Sequence, residues 1–477
     1  LLKKYISQNW NFFTKVNTGN LIRNVINETG HLQANIIYAS IKILSDFIIL
    51  AGILILLVLV EPQITIITFI FVFLISILYK FFTKKYVYKL GSNRQKKAGE
   101  LNKLLIEVFG LIKDIKFLNK EAFFLNKFSS LMKDYSNSIK YSYVVSQLPR
   151  QIIEILILVS ISFLTYYLLI INETKSDAIV TIGFFLIAAY RIAPSINSII
   201  SHFSLFDFSR SSLELILREI DNIKFEKKLE LKNFKPLKFN SEISYENITY
   251  FYEKDKTILD NISFKIKKNE VIGIKGDSGS GKTTLINLVA GLIKPKQGKI
   301  SIDKSEVDYI DSDYQYSVGI VHQDIFLIDD SIKNNIAIGE ENIDQERLNS
   351  AIKKSNLDYF INNLTEGVET KTGEKGVKIS GGQKQRIGIA RMLYFDADVL
   401  ILDEATNSLD AETENNILKT IRNFRENKSI IIISHNLNLL KGSDLIYVLK
   451  NGSITEFGSY ENLYTDNQSY LSNMKNK

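Results

Sequence analysis

A chain of 477 residues exceeds what one hydrophobic core serves, so two or more domains are expected. It has no cysteine, which excludes disulfides and thiolate metal sites. Hydrophobic residues make up 45%, charged residues 23% and the net charge is +7, an average that hides a gradient: apolar residues crowd the first part of the chain and charge rises after it.

The chain opens on Leu1, and no secretory leader pattern precedes its first apolar run, so it is expected to be a piece of a longer protein. Residues 1–42 carry Trp10, Phe12 and Phe13, then Thr18-Gly19-Asn20 and a polar helical stretch. Lys3, Lys4, Lys15 and Arg23 place this region on the cytoplasmic side of a membrane. Two apolar runs follow, Ile43–Val60 and Ile64–Tyr79, each near the ~20 residues that a bilayer-spanning helix needs. They are apolar on every face, unlike a surface helix of a soluble protein. Glu61-Pro62-Gln63 divides them, and Pro62 suits the first turn of a new helix.

From Lys80 to Arg150 the chain turns polar and basic, which predicts helices that continue well beyond the bilayer. Phe117, Phe123, Phe124 and Phe128 cluster in its middle, either as an exposed docking patch or as packing between helix extensions. A second pair of spans, Ile152–Ile171 and Ala178–Ile200, is joined by residues 172–177. Of the ionisable residues near these spans, Asp46 and Glu154 fall about a turn inside the boundary. Arg191 lies deeper, beside the helix-kinking Pro194, and is expected either to face an internal cavity and meet an anionic group of a ligand or to snorkel to the cytoplasmic interface. A charge-rich helical connector runs to residue 240. Short β-type runs start at Ser241, marking a second domain over 241–477.

The second domain carries the chemistry. Val271–Lys275 has strand character, Gly276-Asp277-Ser278-Gly279-Ser280-Gly281-Lys282-Thr283 fits the phosphate-binding loop pattern, and Leu285–Leu292 has helical spacing. Gly276, Gly279 and Gly281 let backbone N–H groups turn inward on phosphate oxygens at a helix N-terminus. Lys282 can reach the β- and γ-phosphates, and the Thr283 hydroxyl is a ligand for Mg²⁺. Further on, Val399–Leu402 is an apolar strand ending in Asp403 and Glu404. Asp403 is placed to hold Mg²⁺ through water and Glu404 to act as general base.

Ser380-Gly381-Gly382-Gln383 resembles the signature sequence of ATP-binding cassette (ABC) transporters, and other elements of that family occur in order around it. Tyr252 resembles the aromatic residue that stacks on adenine, Gln323 the Q-loop glutamine that reaches Mg²⁺, Asp410 in Ser408-Leu409-Asp410 the D-loop aspartate, and His435 the switch histidine on the γ-phosphate. Ser278, Ser280 and Thr284 complete the family's phosphate contacts. The resemblance implies an all-α transmembrane bundle over 1–240, with four of six expected spans present. It also implies, over 241–477, an α/β P-loop domain with an antiparallel β subdomain. Coupling helices are implied within 11–35 and 107–128. Lys371 departs from the acid common at its position, which puts one cassette contact in question.

The family's arrangement implies two ATP molecules, with Mg²⁺, clasped between facing cassettes, the signature serine and glycine N–H of one chain completing the phosphate loop of another. Intact Glu404, His435 and signature allow a homodimer, with a heterodimer of this chain and an unlike half as the alternative. The implied protein is an ATP-driven exporter or flippase in a bacterial inner membrane, in contact with lipid and not with nucleic acid. The composition, short outer loops and N-terminal region are similar to flippases for lipid-linked oligosaccharides; a lipid, peptide or drug cargo is the alternative. A soluble ABC ATPase acting on nucleic acid is disfavoured by the four spans, and a non-hydrolysing membrane regulator by Glu404 and His435.

Overall fold

The computed structural model describes residues 1–171, 175–222, 239–252, 256–307, 314–315, 317–404, 424–434 and 436–465. These form two compact units, residues 1–8 with 12–227 and residues 9–11 with 228–477.

The first unit is helical. Short helices α1 (Leu2–Ile6), α2 (Trp10–Lys15), α3 (Thr18–Ile22) and α4 (Thr29–Leu32) lead into α5 (Tyr38–Val60). Two wide π-helical stretches, Arg23–Glu28 and Gln33–Ile37, interrupt this run without breaking it. The long helices are α6 (Pro62–Gly110, 49 residues), α8 (Glu121–Ile171, 51 residues) and α9 (Lys175–Asn222, 48 residues), with the short α7 (Ile112–Phe117) between the first two. At 1.5 Å per residue each long helix extends roughly 72–77 Å, more than twice the ~30 Å hydrocarbon core, so the expected extensions are present.

Four helices among the described residues are long and apolar enough to cross a membrane. In the most apolar window of each, only 11–17% is buried within this chain. Apolar side chains such as Leu59 and Phe163 therefore point outward, which water would penalise and hydrocarbon tolerates. Pro62 is in the first turn of α6, as its fixed φ favours. The Thr65 hydroxyl donates to the Glu61 carbonyl at 2.7 Å and lies 3.2 Å from that of Leu57, closing the hairpin between α5 and α6.

The extensions are pinned by buried charge. Arg94 and Glu28 are both fully buried; Arg94 Nη2 donates to Glu28 Oε2 at 2.8 Å and to the Ser212 hydroxyl at 2.9 Å. Gln95 Nε2 donates to the same carboxylate oxygen at 3.2 Å and to the Ser211 carbonyl. Three segments far apart in sequence are thereby held at one point. At Gly91 the α6 backbone comes so close to α9 that an added Cβ would lie 1.8 Å from the Phe208 carbonyl oxygen. In the aromatic cluster, Phe117 and Phe123 are exposed, so packing between helix extensions does not account for these two.

The second unit contains two sheets. β1 (Glu242–Phe251), β2 (Thr257–Lys267), β4 (Gln297–Ile302) and β5 (Ser305–Glu306) form an antiparallel sheet in the order β2-β1-β4-β5. The other sheet has the order β10-β9-β3-β8-β7-β6, formed by β3 (Val271–Gly276), β6 (Val318–Val321), β7 (Val399–Asp403), β8 (Ser429–Ile433), β9 (Leu445–Lys450) and β10 (Ser453–Gly458). Its pairs are parallel except β9 with β10. The central strands are continuous apolar runs, as a sheet covered on both faces requires; β8 is buried along its whole length. Helix α10 (Lys282–Val289) follows β3. A helical subdomain of α11 (Ile332–Ile336), α12 (Gln345–Lys354), α13 (Asp358–Asn362) and α14 (Gly381–Tyr394) closes around its own core, including Leu348, Leu357 and Ile387.

Candidate functional site

The residues with phosphate chemistry gather where the carboxyl ends of parallel strands open, the usual ligand position in such sheets. β3 is buried throughout and delivers Gly276 to that edge. A Cβ on Gly276 would lie 2.4 Å from the Leu449 carbonyl oxygen, so only glycine fits between β9 and the loop. Gly279 and Gly281 have φ of +79° and +106°, a region glycine enters without strain. Nothing stands within 4 Å of a Cβ built on Gly279, so the loop presents an open cradle there. Gly281 is the N-cap of α10, whose first N–H groups have no intrahelical partner and point into the loop.

Lys282 Nζ donates to the Gly276 carbonyl at 2.8 Å and the Asp277 carbonyl at 2.9 Å, holding the ammonium across the loop mouth. Burial pushes its pKa down, while Glu404, Asp277 and Asp403 pull it back up. Ser278 and Thr283 are exposed at the loop surface; Thr284 and Ser280 are buried, the Ser280 hydroxyl without a partner in the described structure.

β7 carries Asp403 and Glu404 to the same edge, with Asp403 in register with Ile433 of β8. Burial raises the Asp403 pKa, opposed by the neighbouring His322 and Lys282, and Glu404 pushes it further up. Glu404 has a left-handed backbone, φ +48°, fixed by its N–H donating to the Ile433 carbonyl at 3.0 Å. Gln323 lies exposed just beyond β6. Tyr252 follows β1, half-buried, its ring edge-on to Tyr250 at 5.0 Å. His435, Ser408 and Asp410 lie outside the described residues.

The signature forms a second group. Ser380 is the N-cap of α14 in a reciprocal capping box: its Oγ accepts from the Gln383 N–H at 3.3 Å, and its own N–H donates to Gln383 Oε1 at 2.9 Å. That fixes the serine rotamer and still leaves its hydroxyl proton to donate. Gly381 and Gly382 occupy the first helical turn, where N–H groups have no intrahelical acceptor. The described side-chain bonds of Ser380 and Gln383 are to each other's backbone, whereas Lys282 is coupled to Asp403 and Glu404.

Two neighbours of the phosphate site were not singled out in the sequence. His322 acts on Asp403, and its signal was its position next to Gln323. Lys275 is almost wholly buried below the loop, its pKa lowered by burial and by Lys282; a lysine inside an apolar strand was the clue. Lys371 is exposed and its segment bridges to Ser331. In the first unit Arg191 is exposed and lines none of the described cavities, Asp46 is buried beside Lys42 at 3.7 Å, and Glu154 pairs with Arg150 at 2.8 Å.

A nucleotide-hydrolysing cassette on one chain with a bundle of membrane-spanning helices defines an ATP-driven transport protein. Residues 259–407 match the ABC transporter family and residues 1–190 the ABC transporter transmembrane region. The chain is 30% identical over 463 residues to an ATP-dependent lipid A-core flippase of Desulfotalea psychrophila, covering 96% of this chain and 79% of that protein. It is 33% identical over 474 residues to a multidrug resistance-like ATP-binding protein of Buchnera aphidicola, with the same two coverages. The solved structure of a bacterial Atm1-family ABC exporter with ATP bound superposes with a TM-score of 0.87 at 22% identity, over all of this chain and 84% of that one, which establishes the shared fold. The chain belongs to the ABC transporter family, as an exporter-type half-transporter whose cassette is an ATPase coupled to transport.

Proposed function

We propose that two copies of this chain close around two ATP molecules and use their hydrolysis to move a lipid-linked oligosaccharide across a bacterial plasma membrane. The observation that carries the dimeric site is the division of donors. The phosphate loop, Asp403 and Glu404 form one coupled group, and the capped signature serine forms another with local bonds only. A γ-phosphate held by the first group alone would keep one side in water. The signature of a second copy supplies an O–H and helix N-terminal N–H groups for that side.

The roles follow from the chemistry. Lys282 and the loop N–H groups cradle the β- and γ-phosphates; Glu404 orients and deprotonates the attacking water; Tyr252 stacks on the base. His435 is assigned to the γ-phosphate and Asp410 to the contact between copies, both by family resemblance. Mg²⁺ suits the donor set, which is hard oxygen throughout: the Thr283 hydroxyl, the Gln323 side chain and Asp403, a desolvated carboxylate that a cation would favour in its ionised form. When bound, Mg²⁺ supplies neutralisation of the charge on the β- and γ-phosphate oxygens.

The cargo reading is supported by the flippase relative, which matches nearly the whole chain and is named for a glycolipid. The multidrug-type relative favours a drug cargo as the second reading. A strain lacking the gene is expected to accumulate a polyprenyl-linked glycan, restored to normal by the wild type and not by Glu404→Gln. Unchanged glycolipid with altered drug resistance would favour the second reading.

A further inference from the structure

Between α5, α6 and α9 lies a cavity of about 430 Å³ walled by apolar side chains such as Phe47, Leu54, Phe73 and Ile196. One end is charged. Lys80, Lys84 and Asp207 stand there, and a shallower hollow of about 510 Å³ that opens past the same three residues adds Arg210. Arg210 is held by Glu214 at 2.9 Å. Lys80 Nζ stands 3.6 Å from the centroid of the Phe203 ring, a cation on an aromatic face. Setting Arg210 against Glu214 and one lysine against Asp207 leaves one positive charge in excess at this rim.

The rim also has a definite depth. Lys80 directly follows the apolar run Ile64–Tyr79, and Asp207 lies a few residues beyond the run that ends at Ile200. The charges therefore fall at the level of lipid headgroups while the apolar walls lie within the hydrocarbon. Arg191, deeper in α9, lines neither hollow.

We propose that this cavity is a loading site for a lipid bearing a phosphate or pyrophosphate directly on a long hydrocarbon chain. The chain fills the apolar walls and the anion is held by Lys80 and Lys84. The proposal rests on the cargo reading above and places its recognition in one chain. A neutral lipid would leave the excess cation without a counter-ion, and a free inorganic anion would leave the apolar walls unfilled.

The test is direct binding to the full transporter in neutral detergent, by native mass spectrometry, with undecaprenyl phosphate, undecaprenol and inorganic phosphate as probes. Undecaprenyl phosphate is expected to bind roughly tenfold or more tightly than either of the others. The double variant Lys80→Gln, Lys84→Gln should erase most of that preference. The matched loss of charge in Lys85→Gln, Lys89→Gln, both exposed on the same helix, should not. Leu54→Trp, which fills the cavity, should weaken binding of the lipid phosphate while dimeric elution confirms folding. Equal binding by the Lys80/Lys84 variant and wild type, or by phosphate and alcohol, would overturn the site. Rim-dependent binding without transport of a glycosylated polyprenyl pyrophosphate upholds the site and overturns the cargo reading.

Discussion

Glu404 joins two roles that conflict in an ordinary strand end. Its carboxylate belongs beside the phosphate loop, and reaching that place takes a backbone φ of +48°, a region that costs a non-glycine residue about 1–3 kcal/mol. The hydrogen bond to Ile433 and the pairing of β7 with β8 hold it there. Replacing only the base, Glu404→Gln, should lower turnover by roughly 10²–10⁴-fold while ATP binding persists, measured by phosphate release and nucleotide retention. Retained turnover would remove Glu404 as general base. Asp403 makes a pH prediction. Burial raises its pKa, and a carboxyl raised on folding contributes stability that is present below its unfolded pKa and lost as pH rises through the folded value. Without divalent cation, wild type should therefore lose melting temperature as pH rises above the ordinary carboxylate range. Asp403→Asn should lose less over that window and gain nothing from added Mg²⁺. An identical pH profile for the two proteins would refute the desolvation account.

Elements show which parts of this fold a sequence discloses. The phosphate loop, the strand ending in Asp403-Glu404 and the capped signature were legible because each is local: a few neighbouring residues fix the turn, the strand or the helix start. The four spans and the Pro62 hairpin were legible for the same reason, since hydrophobic runs and proline act within one turn. The Arg94–Glu28 pair was not, because its members stand 66 residues apart and meet only through helix packing. Arg94 belongs to the polar, basic stretch whose composition suits solvent, yet it is fully buried. The π-helical stretches beside Glu28 carried no composition signal either. Gly91 offers an element-scale test of that packing. Gly91→Val places atoms against the Phe208 backbone and must push α6 from α9, at about 1–3 kcal/mol, whereas the same change at Gly183, with nothing near its Cβ, meets no clash. Thermal unfolding in detergent should separate the two; equal melting temperatures would mean that α6 and α9 do not need this close approach. The signature helix gives a second test. Ser380→Ala removes a cap worth about 1 kcal/mol, while Ser380→Asp keeps the cap and sets a negative charge against phosphate. Both should lose ATP hydrolysis, but only the alanine variant should lower cassette stability.

At the scale of the molecule, the proposal that each site draws on two copies can be separated from a site built within one chain by mixing lesions. Lys282→Ala disables a phosphate loop and Ser380→Asp disables a signature. In a dimer of one copy of each, sites composed across copies sort the damage unevenly. One site unites the disabled loop with the disabled signature, and the other unites the two intact halves. Sites built within a copy would each carry one lesion, and none would be whole. Neither variant alone should turn over ATP, yet their co-expressed mixture should regain about a quarter of wild-type turnover: roughly half of the dimers are mixed, with one of two sites intact. Separate affinity tags isolate the mixed species for assay. Turnover there would also show that one competent site suffices for hydrolysis, since the second is doubly disabled. A silent mixed dimer, with both variants shown to pair and to bind the membrane, would mean either that the sites are not shared or that both must fire together. In an active mixed dimer, Glu404→Gln in the Lys282→Ala copy checks the assignment: it leaves the whole site's base untouched if sites are shared, so the regained turnover must survive it.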